Sequence, residues 1–171
     1  GYWATMASKE GLIGITGTNA RPSIAPTFGV ENMLGTNPLT VAFPTDEEFP
    51  FVLDCATSIT QRGKIEYFAR SGKDTPAGMV IGQDGSAMTD SQRILTALTR
   101  GEAGSDEKGN KCPYRLGHFF IAIDPEAFMG RETFRSICGK ILRELRNSKK
   151  APGQERIYTA GEKEYQAWQE R

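Results

Sequence analysis

The spacing of apolar positions changes several times along this 171-residue chain, and each change predicts an element. Tyr2, Met6 and Lys9 fall on related helical turns ahead of Gly11, so residues 2–10 read as the end of a helix with a glycine stop. "GLIGITGT" then reads as a strand. "PLTVAFP" (38–44) and "FPFVLDCA" (49–56) are two short β-rich runs joined by "TDEE", the spacing of an antiparallel hairpin. Ile59 to Ser71 reads as a helix with Ile65, Phe68 and Ala69 on one stripe and Gly63 as a weak point or a close-packing site. Asp90 or Ser91 caps a short helix that runs to Arg100. "GHFFIAIDP" (117–125) is a strand ended by Asp-Pro. Phe134, Ile137, Ile141 and Leu145 give the strongest helical period, over Arg131 to about Asn147. "RIYTA" reads as a short strand, and "GEKEYQAWQER" as a closing helix whose Tyr165 and Trp168, one turn apart, face the core or else a subunit interface.

Between these elements, "NARPSIAPTFGVENMLGTNP" holds three prolines, three asparagines and two glycines in twenty residues, which is turn chemistry. "QDGS" is a tight turn. "RGEAGSDEKGNKCP" is glycine- and charge-rich, natural as a surface loop or as a place where residues are missing. No internal repeat and no low-complexity tract is present.

Composition narrows the class. The length fits one domain, enough to bury about two thirds of its unfolded surface without disulfides or metal. Lysine plus arginine equals aspartate plus glutamate at 21 each, so charge points neither to nucleic acid nor to an anionic membrane. Cys55, Cys112 and Cys138 are odd in number and far apart, which suits free thiols in a reducing, cytoplasmic setting. No apolar run is long enough to span a bilayer, and "GYWATMASKE" has no signal-peptide pattern.

Several chemistries fail on the residues alone. There is no GxGxxG opening a helix and no GxxxxGK[ST], so a Rossmann or P-loop site is not expected. Cys112 and His118 are the only neighbouring soft ligands, too few for a metal. His118 begins an apolar strand and reads as structural. Cys55 lacks an obvious base and reads as a buried, inert thiol. Asp54 ends an apolar strand ahead of Ala56, Thr57 and Ser58. A carboxylate there must find donors. Two readings stand level: it accepts from the following turn or caps the helix near Ile59, or it accepts hydroxyl groups of a ligand.

Taken together, "GLIGITGTN", "LGTNPLTVAFP", "FVLDCATS", "RGKIE", "GHFFIAIDPEAF" and "TAGEKEY" resemble the malate/L-lactate dehydrogenase family of NAD(P)-dependent 2-hydroxy-acid oxidoreductases. That family also includes ureidoglycolate, sulfolactate and diketogulonate enzymes and is distinct from the Rossmann-type dehydrogenases. The resemblance covers nearly the whole chain in order. It implies an α+β fold, a largely antiparallel sheet flanked by helices that forms a non-Rossmann NAD(P)-binding fold, with residues 1–171 as one cofactor-binding domain. By motif, Asp54, Cys55 and Ala56 would line the NAD or NADP cofactor with Thr57, Ser58 and Thr60 nearby, and Gly161, Glu162 and Lys163 would form a second cofactor-contacting turn. Ala20 stands where relatives often have serine and lacks that hydroxyl.

Two family motifs are missing. The catalytic histidine belongs to an "HFGxxGY"-like motif, and this chain opens at "GY", which places that histidine just upstream of Gly1 and leaves no catalytic residue in the chain. A "GYKGYG"-like segment would fall between Ala103 and Gly104. The expectation is therefore a longer protein, with segments absent at both places, that transfers hydride to or from a small 2-hydroxy or 2-oxo acid of malate or lactate type. A cytoplasmic homodimer is implied, with no metal, nucleic-acid or membrane partner. The rival is a non-catalytic nucleotide-binding or scaffolding relative that lacks the histidine.

Overall fold

The computed structural model describes residues 1–100 and 115–170, with the side chains of 98–100 left aside. The stretch 101–114, with the Ala103–Gly104 junction and Cys112, lies outside the described residues, as does residue 171. The elements run α1 (Tyr2–Lys9), β1 (Ile13–Thr18), β2 (Leu39–Phe43), β3 (Phe51–Cys55), α2 (Arg62–Arg70), α3 (Ser91–Arg100), β4 (His118–Ile123), a 3-10 turn (Pro125–Ala127), α4 (Arg131–Arg146) and α5 (Glu162–Gln169). They fall into two compact units. The first draws on Gly1–Gly17, Leu39–Cys55 and the described residues from His118 onward; the second on Thr18–Pro38 and the described residues of Ala56–Gly117.

The first unit is built on a four-stranded sheet in the order β3-β2-β1-β4. β2 is antiparallel to both neighbours, with Gly14 opposite Ala42 and Thr40 opposite Asp54. Because side chains alternate across a strand, Ala42, Thr40, Val52 and Asp54 share one face. Helix α1 lies on that face. A Cβ at Gly14 would fall 2.2 Å from the Ala4 carbonyl oxygen, so glycine is what lets helix and strand approach. Ala4 and Ala42 are fully buried at the contact. On the other face Phe43 stacks on Phe51 and meets Phe134 of α4 edge-on.

Helix α4 is fixed to the turn between β2 and β3 by charge. Arg143 reaches both Asp46 oxygens at 2.9 and 3.1 Å and Glu47 at 3.2 Å, Arg146 pairs with Glu47, and Arg135 donates to the Thr45 carbonyl at 3.0 Å. Those pairs turn Gly139 and Leu142 inward, while Ile137, Ile141 and Leu145 stay about half exposed. The helix occupies its predicted span, but its apolar stripe is not its buried face.

Strand β4 closes with Asp124, which accepts from the Glu126 N–H at 3.0 Å and holds Arg131 through two bonds of 2.8 and 2.6 Å. The "RIYTA" segment is not a strand. It is irregular, and of the sheet's bonds it supplies the Ala160 carbonyl to the Val52 N–H at 3.1 Å. In α5, Tyr165 stacks on Phe49, but Trp168 is 69% exposed rather than core-facing.

In the second unit, α2 and α3 pack together over Ile65, Ala69 and Ile94. Helix α2 starts at Arg62, later than its apolar pattern suggests, because Gln61 is extended, and Ile59 is exposed. The Asp90 carboxylate caps α3 by accepting from the Arg93 N–H at 2.9 Å. The proline-rich stretch is ordered, with Ile24 and Leu34 bridged. Gly63 meets nothing within 4 Å of a built Cβ, so it is not a close-packing site.

Candidate functional site

The quoted "FVLDCATS" motif spans both units, and each half is held in its own way. In the first unit, Asp54 is exposed near the end of β3. Its Oδ1 accepts from the Thr40 hydroxyl at 2.8 Å, and its Oδ2 accepts from the Gly1 nitrogen. Partial burial pushes the Asp54 carboxyl up, and the Thr40 hydroxyl that donates to it pulls it down. Neither oxygen is paired with the backbone of the following turn, and α2 has no side-chain cap, so the capping alternative for Asp54 falls. Cys55 beside it is exposed rather than buried.

The Gly161–Lys163 turn lies in the same unit and packs on the same strand. Gly161 takes a left-handed backbone, φ 90°, and a Cβ on it would sit 3.0 Å from Val52 Cβ. Val52 is two residues from Asp54 on one face of β3. Lys163 is exposed, its ammonium 4.6 Å from the Tyr158 ring centre. Glu162 turns the other way. It is 1% exposed, and its carboxylate accepts from the Thr159 N–H at 3.0 Å, the Thr159 hydroxyl at 3.1 Å and Arg156. Burial pushes Glu162 up, and the Thr159 and Arg156 donors bring it below its ordinary value.

In the second unit, Thr57 fastens its loop to "LGTNP": its N–H donates to the Thr36 carbonyl at 3.0 Å and its hydroxyl to Thr36 and Asn37 at 3.2 and 3.1 Å. The Ser58 hydroxyl donates to the Thr60 carbonyl at 2.8 Å. Ala20 is packed by its backbone, its N–H donating to Asn37 Oδ1 at 3.0 Å. Among the described residues, Thr60 Oγ1 is buried with no hydrogen-bond partner. A buried hydroxyl without a partner is costly, and one in this motif fits a polar ligand group.

Thr40, Arg156 and Thr159 are the supporting residues that sequence reasoning missed. Thr159 had a readable signal, since Thr159-x-x-Glu162 is the spacing of a capping box. Thr40 and Arg156 had none, because cross-strand register and a loop crossing bring them in. His118 opens β4, at the opposite edge of the sheet from β3. Three strand spacings amount to about 14 Å, too far for His118 to act on a group held at Asp54. Among the described residues, no cluster of three or more histidine, cysteine or carboxylate side chains is arranged to hold a metal ion.

The sequence profile described as malate/L-lactate dehydrogenase matches residues 1–104 and 93–171. The chain belongs to the malate/L-lactate dehydrogenase family. Malate dehydrogenase of Pyrococcus horikoshii is 36% identical over 200 aligned positions, covering 95% of this chain and 54% of the relative. That alignment is longer than the chain itself, so it includes positions where the relative has residues and this chain has none. L-sulfolactate dehydrogenase of Methanocaldococcus jannaschii is 35% identical, over 90% of this chain and 52% of its own length. The crystal structure of malate dehydrogenase from Entamoeba histolytica superposes with a TM-score of 0.85 at 37% identity, over 99% of this chain and 58% of that one. The chain thus spans about half the length of the curated relatives it matches. The family fold is α+β, in agreement with the antiparallel sheet and flanking helices.

Proposed function

We propose that the protein to which this chain belongs transfers hydride reversibly between a nicotinamide dinucleotide, NAD or NADP, and a small 2-hydroxy or 2-oxo acid of malate or lactate type. The observation that carries the reading is family membership across nearly the whole chain, with relatives named malate and sulfolactate dehydrogenase. The bound dinucleotide supplies the hydride chemistry. The chain's residues hold it. In the first unit, Asp54 accepts from ligand hydroxyls beside Cys55, the Gly161–Lys163 turn borders the site, and Lys163 offers positive charge to phosphate. By the motif resemblance, Ala56, Thr57, Ser58 and Thr60 of the second unit are further dinucleotide contacts, Thr60 through its Oγ1. Support comes from the exposed carboxylate of Asp54 and from the Thr60 hydroxyl, which has no partner among the described residues.

The same reading takes residues 1–171 as one cofactor-binding domain, a cytoplasmic location and a homodimer. No described helix is long and apolar enough to cross a membrane. The test is to supply the longest natural form of the protein with malate, lactate or sulfolactate and either oxidised dinucleotide, following the near-ultraviolet absorbance of reduced nicotinamide. Turnover with one acid and one dinucleotide is expected, and the 171-residue chain alone is expected to bind dinucleotide without turnover. Binding without turnover in the longest form would put the non-catalytic rival in its place, and failure to bind either dinucleotide would overturn the reading.

A further inference from the structure

Glu162 differs from its neighbours in the Gly161–Lys163 turn. Gly161 is half-buried and Lys163 exposed, while Glu162 between them is among the most deeply buried side chains of the described residues. Taking a carboxylate out of water is unfavourable unless several donors replace the lost hydration. Here the donors come from Thr159 and Arg156, and the charge of Arg146 stands nearby. Thr159 supplies its N–H and hydroxyl at 3.0 and 3.1 Å, Arg156 its guanidinium, and Arg146 of α4 stands 3.8 Å away. Arg146 itself pairs with Glu47 in the turn that leads into β3. A chain of alternating charges, Glu47, Arg146, Glu162 and Arg156, thus runs from the β2–β3 turn to the start of α5.

This chain of charges fixes the backbone on either side of Glu162. The Ala160 carbonyl is held by the Val52 N–H at 3.1 Å, and Gly161 lies so close to Val52 that a Cβ would be 3.1 Å from its nitrogen. The turn is therefore pressed onto β3 two residues before Asp54, and the buried carboxylate holds it there.

We infer that Glu162 is a positioning residue: its buried carboxylate, clamped by Arg156 and Thr159, sets the Gly161–Lys163 turn against β3 and so governs dinucleotide affinity without touching the ligand. The inference rests on the proposed assignment of Asp54 and this turn to the cofactor site. It separates Glu162 from the residues beside it, since a side chain that faces inward on three hydrogen-bond donors acts through the backbone it fixes.

The experiment compares the wild type with Glu162→Gln and Arg156→Gln in the longest natural form of the protein, titrating NADH and NADPH by fluorescence and measuring steady-state kinetics. Glu162→Gln keeps the shape of the side chain and removes its charge. Arg156 is half exposed, so its replacement disturbs the packing less than a change at the buried Glu162 and serves as the second variant. In folded protein, verified by circular dichroism at the assay temperature, both variants are expected to raise the dinucleotide Kd and KM, Glu162→Gln by about tenfold. The KM for the hydroxy acid and kcat at saturating dinucleotide are expected to stay within about twofold, a split that general loss of structure does not produce. If Glu162→Gln unfolds, the same shift in Arg156→Gln supports the inference. Folded variants that bind dinucleotide as the wild type does would overturn it while leaving the cofactor reading standing. A wild type that binds neither NADH nor NADPH would remove both.

Discussion

Asp124 ends β4 with its two oxygens lying against the Nε and Nη2 of Arg131, and its Oδ1 also accepts the Glu126 N–H. Arg131 and that N–H hold its carboxyl down at about 2 from an ordinary 3.8. A carboxyl whose folded value lies below its unfolded one contributes stability in full above the unfolded value and loses it as pH falls through the folded one, here between about 4 and 2. Following the Asp124 carboxyl carbon by NMR is expected to give a midpoint near 2, returning toward 3.8 in Arg131→Met; an ordinary midpoint in the wild type would contradict the pairing. The Asp-Pro stop was readable from sequence, and its ion-pair partner, seven residues on, was not. The same holds at Asp54. Its need for donors follows from its type and place on an apolar strand, but Thr40 became its donor only when β2 and β3 paired in this register.

Among the elements, glycines separate what local pattern says from what packing says. Gly63 in α2 faces open space, so Gly63→Ala is expected to stabilise by about 0.5–1 kcal/mol, the helix-propensity difference between the two residues. Gly14 in β1 faces the backbone of α1, which cannot rotate away as a side chain can. Gly14→Ala is expected to destabilise by about 1–3 kcal/mol or more, as overpacking does. Urea denaturation of both variants checks the opposite signs. From sequence the two glycines look alike, one in a helical pattern and one in a strand. Helix α4 and the hairpin were legible because their periods are clean, yet which face of α4 turns inward was settled by Arg143, Arg146 and Arg135 reaching the hairpin turn. "RIYTA" misled because it is rich in β-forming residues, whereas its place beyond the outer edge of β3 leaves it one backbone bond to the sheet.

For the whole molecule, equal numbers of acidic and basic residues and a pI near 6.8 leave no net repulsion between copies at neutral pH, and exposed Trp3, Phe120 and Phe128 add apolar surface. Solubility of this chain is expected to pass through a minimum near pH 7 and to rise on either side; precipitation measured across pH checks it, and a flat profile would contradict it. The sequence by itself determined the family, through ordered motifs over nearly all of the chain, and most of the elements, through periods of two and of three to four. It also determined the antiparallel hairpin, because a short turn allows no other direction. Tertiary structure alone decided that the residues divide into two units interleaved along the chain, that Glu162 points inward while Lys163 points out, and that the Thr60 hydroxyl finds no partner among the described residues. The physical reason is common to all three: propensity and period act within a few residues, whereas burial and hydrogen-bond partnership are set by groups that folding brings in from far along the chain.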